Sequence, residues 1–151
     1  MINTITGILN AAAVTAVATI GTLDYKEYVT ERECLALNVY HEARSESIEG
    51  QIAVAQVTVN RVQHEYFPDT ICDVVWDRYQ FSWTHDGLSD RATETDAWKD
   101  AMLVAQAVLS NRVEDNTNGS LFYHADYVNP GWPNMKTTAK IGRHIFYKKV
   151  S

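Results

Sequence analysis

Residues 51–62 read QIAVAQVTVNRV, and this stretch decides the class of fold. Its β-branched residues partly alternate with small and polar ones, which is a strand-like pattern. Its length and its alanines nevertheless favour a helix over a strand. We therefore predict that residues 51–62 form a helix in the core of the protein.

Outward from this helix, the sequence predicts further helices and a minor sheet. Thr30-Glu31-Arg32-Glu33 has the form of a capping box, Thr followed three residues later by Glu, which predicts a helix from there to about Ala43. The other predicted elements are a short helix over 70–76, a strand or hairpin arm over 79–84, a helix over 97–110 capped by Thr95 and Asp96, and a loop over 116–119. The aromatic-rich segments over 121–124 and 141–147 are predicted to be strands or irregular wall segments. The predicted fold class is α+β, mostly helical, with a small β element.

Composition indicates one acidic globular domain. The chain has 151 residues, and 46% of them are hydrophobic, which suffices for a substantial core. The formal net charge is -6 at pH 7, so we expect no nucleic-acid partner. Cys34 and Cys72 are the only cysteines, and the sequence leaves open whether they form a bridge.

Residues 1–23 contain no charged side chain. The part over 5–23 approaches the roughly 20 residues that a membrane-spanning helix needs, but it is rich in Thr, Asn and Gly and lacks the basic start of a signal peptide. Three interpretations stay open: a weak export anchor or leader, a helix packed on the domain, and a mobile tail. We treat 1–23 as an apolar N-terminal segment and 24–151 as a single domain.

The densest cluster of functional side chains is Tyr40-His41-Glu42-Ala43-Arg44-Ser45-Glu46. His-Glu begins the zinc-protease pattern H-E-x-x-H, but Ser45 stands where the second His is required, so that motif fails. His124 and His144 could join His41 around a metal only as scattered ligands, and such histidines are more often structural. We expect no metal site and no cofactor.

Glu42 has a better case as a general acid. It lies near the predicted C-terminal end of a helix, where the macrodipole and an aromatic neighbour such as Tyr40 both favour the protonated carboxyl and raise its pKa. A glutamic acid with a raised pKa can protonate the leaving oxygen in glycosidic bond cleavage. The alternative is that Glu42 and Glu46, four residues apart, lie on a solvated helix face.

Other polar residues have structural alternatives of comparable weight. Arg44 and Arg61 are typical of surface ion pairs, and Asn60 of a backbone cap or bridge. Gln80-Phe81-Ser82-Trp83 alternates polar and aromatic side chains, so in a strand one face would present an amide and a hydroxyl beside apolar surface. The alternative is that Phe81 and Trp83 belong to the core.

Several short motifs follow one another in a fixed order between Glu33 and the C-terminus. They are Tyr40-His41-Glu42-Ala43-Arg44, Glu46, Glu49-Gly50-Gln51, Ala53-Val54-Ala55, Val57, Asn60-Arg61-Val62, Phe67-Pro68, Gln80-Phe81-Ser82, Tyr123-His124, Asn129-Pro130, Trp132 and Ile141-Gly142-Arg143-His144-Ile145-Phe146-Tyr147. In this order they resemble the SleB-type cell wall hydrolases, the spore-cortex-lytic enzyme family. The chain departs from the pattern at Ser45, where we expect the family often to have Gly.

This resemblance implies a lysozyme-like or lytic-transglycosylase-like domain that cuts the glycan strand of peptidoglycan between N-acetylmuramic acid and N-acetylglucosamine. Glu42 matches the family's catalytic glutamate. It would protonate the glycosidic oxygen and then act as base, either for water or for the 6-hydroxyl of the muramic acid itself. Candidates for a second carboxylate, which the water route would use, are Asp73, Asp77 and Asp86.

The resemblance also suggests the two walls of a glycan cleft. One wall would be formed by Gln80, Phe81, Ser82 and Trp83, and the other by Tyr123, His124 and Trp132. Supporting roles would fall to Arg44, Glu46, Asn60 and Arg61. Peptidoglycan is itself anionic, so with a net charge of -6 we expect recognition by short-range hydrogen bonds and stacking rather than by long-range attraction.

The layout without visible wall-binding repeats suits a phage endolysin that lyses its host. We expect a monomer that acts at the bacterial cell wall, reached by export through 1–23, with transient membrane contact of residues 5–23, or by release from the host cytoplasm during lysis. Two other functions stay open. One is a zinc-dependent wall amidase or peptidase, and the other is a wall-binding protein without catalysis.

Overall fold

The computed structural model describes residues 25–150, with side chains from residue 28 onward. The interpretations of residues 1–23 lie outside the described residues. Within the range 25–150, no helix is both long and apolar enough to cross a membrane.

Helices make up the first part of the described chain. They are α1 (Tyr25–Ala43), α2 (Ile48–Val62), α3 (Ile71–Trp76) and α4 (Thr95–Leu109), with a short 3-10 helix over Ser82–His85 before α4. The predicted core helix is confirmed as α2, which begins earlier than predicted because Ser47 Oγ caps it by accepting a hydrogen bond from Gly50 N at 3.3 Å. The short helix is confirmed as α3, capped by Thr70.

Two predicted helix starts are wrong. Helix α1 begins at Tyr25, so Thr30 lies inside it and is not a cap. Helix α4 begins at Thr95 with Glu94 in the N-cap position, so Thr95 and Asp96 belong to its first turn. Just before α4, the backbone N–H groups of Thr93 and Glu94 donate hydrogen bonds to the hydroxyl of Tyr40, at 3.2 and 3.1 Å. A residue of α1 thus supports the chain entering α4, and a local sequence motif cannot show this.

The C-terminal part is an antiparallel sheet of β1 (Phe122–Ala125), β2 (Met135–Ile141) and β3 (His144–Lys149) in the order β1-β3-β2. The predicted first strand is confirmed. The predicted strand over 141–147 is instead split between two strands, because Gly142 adopts φ +55 and turns the chain from β2 into β3. Strand β2 is not predicted from the sequence, since its residues MKTTAKI are mostly polar and partly exposed.

The strand predicted over Tyr79–Thr84 is wrong. Tyr79 has φ +69, which is outside the extended region, and Thr84 N donates to Phe81 O at 3.2 Å to close a turn. Phe81 and Trp83 both point inward, with 3% and 7% of their surface exposed. A 3-10 turn can bury these two rings without a partner strand, because its backbone hydrogen bonds are local.

The main core lies between the four helices, and a disulfide joins two of them. Cys34 of α1 and Cys72 of α3 are bonded, with Cα atoms 5.2 Å apart. The spacing of the two cysteines left this open, and the packing of α1 on α3 brings them together. The bridge joins α3 to α1, the helix whose C-terminal end carries Glu42.

A smaller cluster joins the sheet to α2. Phe146 of β3 is fully buried against Ala53 and Val57 of α2, and Tyr123 of β1 packs against the same cluster. Because side chains alternate across a strand, Phe122 and His124 point to the other face of the sheet. The sheet therefore has a helix-facing side with Tyr123 and an outer side with Phe122 and His124.

Candidate functional site

Glu42 lies in the last turn of α1 and faces strand β1. Tyr123 Oη donates a hydrogen bond to Glu42 Oε2 at 3.0 Å. Burial raises the pKa of the Glu42 carboxyl above its usual range, and the hydrogen bond from Tyr123 and the charges of Arg61 and His41 oppose this shift. The carboxyl is therefore held in one orientation and has an increased affinity for a proton.

Arg61 is the positively charged side chain that lowers the pKa of this carboxyl most strongly. Its side chain is buried, and burial lowers the pKa of the guanidinium, while Tyr123 and the charges of Glu42 and Asp77 act in the other direction. Arg61 Nε donates to Leu121 O at 2.8 Å, and the guanidinium lies 5.2 Å from the ring centres of both Phe67 and Phe81. Arg61 thus connects the Glu42 site to the chain that enters β1.

Asn60 and Arg61 together fix the start of β1 on α2. Asn60 Nδ2 donates to Asp115 Oδ2 and to Ser120 O, each at 3.0 Å, and so holds the loop before the strand. Arg61 holds Leu121 O, the next position along the chain. Both residues therefore hold the backbone that leads to Tyr123, and the supporting role predicted for them stays a prediction.

Glu46 holds the opposite end of the sheet. Its Oε2 accepts a hydrogen bond from Arg143 N at 3.2 Å, in the turn between β2 and β3. A Cβ atom added at Gly142 would overlap Glu46 Oε2, and one added at Gly50 would be 2.9 Å from Glu46 Cβ. Both glycines therefore allow the close approach that places Glu46 between α2 and this turn.

An aromatic surface covers the outer side of the sheet. It consists of Phe67, Phe122, His124, Trp132 and Tyr147. Successive ring centres are 6.2 Å apart for Phe67–Phe122, 6.0 Å for Phe122–Trp132 and 5.7 Å for His124–Trp132. His124 Nε2 and the hydroxyl of Tyr147 form a hydrogen bond at 2.8 Å, and Trp132 is 40% exposed.

The prediction that Tyr123 and His124 form one wall is wrong, because they point to opposite sides of β1. Tyr123 contacts the Glu42 carboxyl and His144, whose ring centre is 5.2 Å away. His124 belongs to the aromatic surface together with Trp132. Adjacent residues of a strand cannot share a face. The strand predicted over 121–124 was therefore enough to place Tyr123 and His124 on opposite faces.

The other predicted wall is also corrected. Phe81 and Trp83 are core residues, and Trp83 Nε1 donates to the buried Asn38 Oδ1 at 3.0 Å. Ser82 is exposed and Gln80 is partly buried, so these two remain the accessible members of the segment. The ring of Trp83 also stacks on His41, with centroids 4.4 Å apart.

Arg44 supports the fold on the other side of α1. Arg44 Nε donates to Glu94 Oε1 at 2.9 Å, and the guanidinium lies 4.9 Å from the ring centre of Tyr40. His41 Nε2 is 2.9 Å from Asp90 O. These contacts attach the segment before α4 to the end of α1 and enclose a cavity of about 220 Å³ next to His41.

The described residues do not gather a set of metal ligands around Glu42. Among residues 28–150, no three His, Cys, Asp or Glu side chains come together in a way that could hold a metal ion. Of the candidate second carboxylates, Asp73 and Asp86 are exposed, and Asp77 is the one whose charge acts on Arg61. Sequence reasoning did not assign a function to Asp77 beyond this candidacy, nor any to Phe67 or Tyr147.

Comparison with known proteins gives consistent matches. Residues 45–147 match the cell wall hydrolase family, a range that begins just after Glu42. The chain is 34% identical over 125 residues to a spore cortex-lytic enzyme of Oceanobacillus iheyensis, covering 77% of this chain and 41% of the relative. It is 30% identical over 119 residues to that of Bacillus subtilis, covering 74% and 35%. The chain thus spans about two fifths of the length of these relatives, or less.

Two solved structures share the fold. The catalytic domain of the germination-specific lytic transglycosylase SleB from Bacillus anthracis superposes with a TM-score of 0.64 at 33% identity, over 78% of this chain and 93% of that one. The catalytic domain of the Bacillus cereus SleB protein gives 0.67 at 30% identity, over 87% and 97%. The mostly helical α+β fold predicted from the sequence is confirmed, and the chain belongs to the cell wall hydrolase family.

Proposed function

We propose that this domain cleaves the glycan strand of peptidoglycan between N-acetylmuramic acid and N-acetylglucosamine, with Glu42 as general acid and then base. The observation that carries the proposal is the Glu42 carboxyl itself, which is partly buried, has a raised pKa and is oriented by Tyr123 at 3.0 Å. A protonated carboxyl near neutral pH is what departure of a glycosidic oxygen requires. Family membership supports the same chemistry.

In the first step, Glu42 gives its proton to the glycosidic oxygen as the C1–O bond of the muramic acid breaks. Positive charge develops on the sugar ring, and Glu42 is left as a carboxylate that the Tyr123 hydroxyl and the Arg61 charge stabilise. In the second step, this carboxylate takes the proton of the muramic acid's 6-hydroxyl while that oxygen attacks C1. The product carries a 1,6-anhydro ring, and Glu42 is protonated again.

We propose this intramolecular route over attack by water. The internal route needs one carboxyl, and Glu42 supplies it. The SleB domain of Bacillus anthracis is described as a lytic transglycosylase, which supports the same choice. Asp77 is the carboxylate that could serve the water route, since it acts on Arg61, one of the groups around Glu42.

The test is end-group analysis of muropeptides released from purified peptidoglycan, with and without a chelator, followed by borohydride reduction. Anhydromuramyl ends, which borohydride does not reduce, are expected in both samples. Reducible muramic acid ends would instead indicate hydrolysis by water and would contradict the internal route. New peptide termini without new glycan ends, or loss of activity with chelator, would favour the zinc amidase or peptidase. Binding to peptidoglycan without any new ends would favour a non-catalytic wall protein.

A role as a phage endolysin extends this proposal from the reaction to its setting. It predicts that residues 5–23 retain the chain at a membrane before lysis. Fractionation of the full chain and of a variant beginning at residue 24 tests this. Equal recovery of both chains in the cytoplasm would contradict a membrane anchor and would require a separate pore for access to the wall.

A further inference from the structure

Charge is distributed unevenly along the chain. Residues 121–150 contain five Lys or Arg and one Asp, a net charge of +4, whereas residues 1–120 contain eight Lys or Arg and eighteen Asp or Glu, a net charge of -10. The C-terminal sheet is therefore basic in an acidic protein. The expectation drawn from total charge, that an anionic substrate is not attracted, does not hold for this region.

Two lysines of this region are direct neighbours across the sheet. Lys136 of β2 and Lys148 of β3 are direct partners in the antiparallel register. Like charges directly opposite in a sheet are destabilising. Neither of them, nor the neighbouring Lys149, forms an ion pair with a side chain that the structure describes. A bound anion would remove this repulsion.

Lys148 and Lys149 line a cavity of about 340 Å³, which we call the lysine pocket. Its other principal lining residues are Tyr66, Phe67, Leu121 and Phe122. Gly119 forms part of the wall, and a Cβ atom there would lie 3.1 Å from both Cε and Nζ of Lys148. The absence of a side chain at Gly119 therefore leaves room for Lys148.

The lysine pocket adjoins both the aromatic surface and the surroundings of Glu42. Phe67 and Phe122 belong to the pocket and to the aromatic surface. Phe67 also lies under the Arg61 guanidinium at 5.2 Å, and the charge of Arg61 acts on Glu42. A glycan lying across the aromatic surface would bring its substituents to the lysine pocket.

We propose that the lysine pocket binds a carboxylate of the peptide stem carried by N-acetylmuramic acid, so that the enzyme prefers glycan strands that bear peptides. This inference rests on the proposed function and assigns part of its substrate. The ammonium group of Lys148, which lies beside Gly119 in the pocket wall, matches a carboxylate, and the apolar walls match the short aliphatic side chains of such a peptide. A bare phosphate polymer would leave the rings of Tyr66, Phe67 and Phe122 without apolar contacts.

The experiment measures binding separately from cleavage. A disaccharide-peptide with free stem carboxylates is titrated into the Glu42→Gln variant and followed by NMR, beside the same compound with its carboxylates converted to neutral amides. The backbone signals of Gly119 and Lys148 are expected to shift with the acidic compound, and the neutral one is expected to bind about tenfold more weakly, because each partly exposed ion pair contributes a few-fold.

A pair of double variants provides the matched comparison. Lys148→Gln with Lys149→Gln should remove the preference for the acidic compound. Lys99→Gln with Lys140→Gln changes net charge equally, but at lysines paired with Asp96 and Asp126 outside the pocket, and it should retain the preference. Cleavage of peptide-bearing and amidated strands by the two double variants should follow the same order in kcat/KM.

Three results would overturn the proposal. They are equal binding of the acidic and neutral compounds by the unsubstituted pocket, equal loss of preference in both double variants, and signal shifts at Gly119 and Lys148 with glycerol phosphate oligomers but not with the disaccharide-peptide. Failure of the proposed function is distinguishable from these results. In that case the parent chain would release no glycan ends, whatever the outcome of the binding experiment.

Discussion

The hydroxyl of Tyr123 donates a hydrogen bond to Oε2 of Glu42 across 81 positions of sequence. This bond joins the end of the first described helix to the first strand, and it places a neutral donor against a carboxyl whose pKa burial raises. Burial also raises the pKa of the Tyr123 phenol well above its usual range, so that the tyrosine keeps its proton and remains a donor. This pair is the centre of the proposed catalytic site.

Tyr123→Phe should move the alkaline limb of the pH profile of kcat/KM to higher pH. The hydrogen bond lowers the pKa of Glu42, so its loss raises that pKa further and keeps the acid form to higher pH. Activity at the optimum should fall about tenfold or more, since a hydrogen bond to a charged group contributes roughly 1.5 to 3 kcal/mol. Tyr127→Phe, at an exposed tyrosine of the same sheet region, should leave the limb in place. A limb that moves to lower pH in Tyr123→Phe would contradict this role.

Glu42→Gln should unfold at a higher temperature than the parent chain above neutral pH. The folded-state pKa of Glu42 lies above that of the unfolded chain, so stability is fully present below the unfolded pKa and is lost as pH rises through the folded pKa. The amide avoids this loss. The difference in Tm between variant and parent should therefore be small near pH 4 and increase towards pH 8. A difference that shrinks with rising pH would show that the buried carboxyl is not destabilised by ionisation.

Much of the helical framework was predictable, because α2 and α3 are specified locally. The apolar run of α2 and the Thr70 cap of α3 depend on neighbouring residues. Strand β2 was missed because its pairing with β3, and not its own composition, makes it a strand. The segment around Phe81 was wrongly predicted as a strand. Inward-facing rings at alternate positions occur both in strands and in 3-10 turns, so the pattern alone does not distinguish the two.

The candidate site was predictable in its residues but not in its arrangement. Glu42 could be proposed from its position at a helix end, and Tyr123 from a motif. Their contact depends on Asn60 and Arg61, which hold the chain ahead of β1 on α2 through backbone carbonyls. Contacts to backbone atoms leave no signal in the identity of the accepting residue, so this part of the site required the structure.

Gly142→Ala should destabilise the domain by about 1 to 3 kcal/mol. The substitution combines a backbone at φ +55, which is unfavourable for alanine, with an overlap against Glu46 Oε2. Gly131→Ala provides a matched control, because Gly131 has φ +64 with no atom within 4 Å of an added Cβ. Adding Glu46→Ala should reduce the cost of Gly142→Ala towards that of Gly131→Ala, as measured by urea unfolding. Equal costs of Gly142→Ala and Gly131→Ala would mean that the approach of Glu46 contributes nothing.

Replacing both cysteines with alanine should lower the free energy of unfolding by about 4 kcal/mol in the chain-entropy description of a cross-link, given the separation of 38 residues between Cys34 and Cys72. Reductant should lower the Tm of the parent chain and leave that of the double variant unchanged. Thermal unfolding with and without reductant measures both effects. A parent chain that is unaffected by reductant, with two thiols that react freely in the folded state, would contradict the bridge.

The most direct test of the central claim is the rate at which glycan ends are released from purified peptidoglycan by the parent chain, by Glu42→Gln and by Glu46→Gln. Glu42→Gln keeps the shape of the side chain but has no carboxyl to exchange a proton, whereas Glu46 accepts a hydrogen bond from Arg143 N in the turn between β2 and β3. We predict loss of anhydromuramyl product by about a hundredfold or more in Glu42→Gln, with measurable cleavage retained in Glu46→Gln. Release that survives Glu42→Gln at the parental rate would contradict the assignment of Glu42 as the catalytic acid.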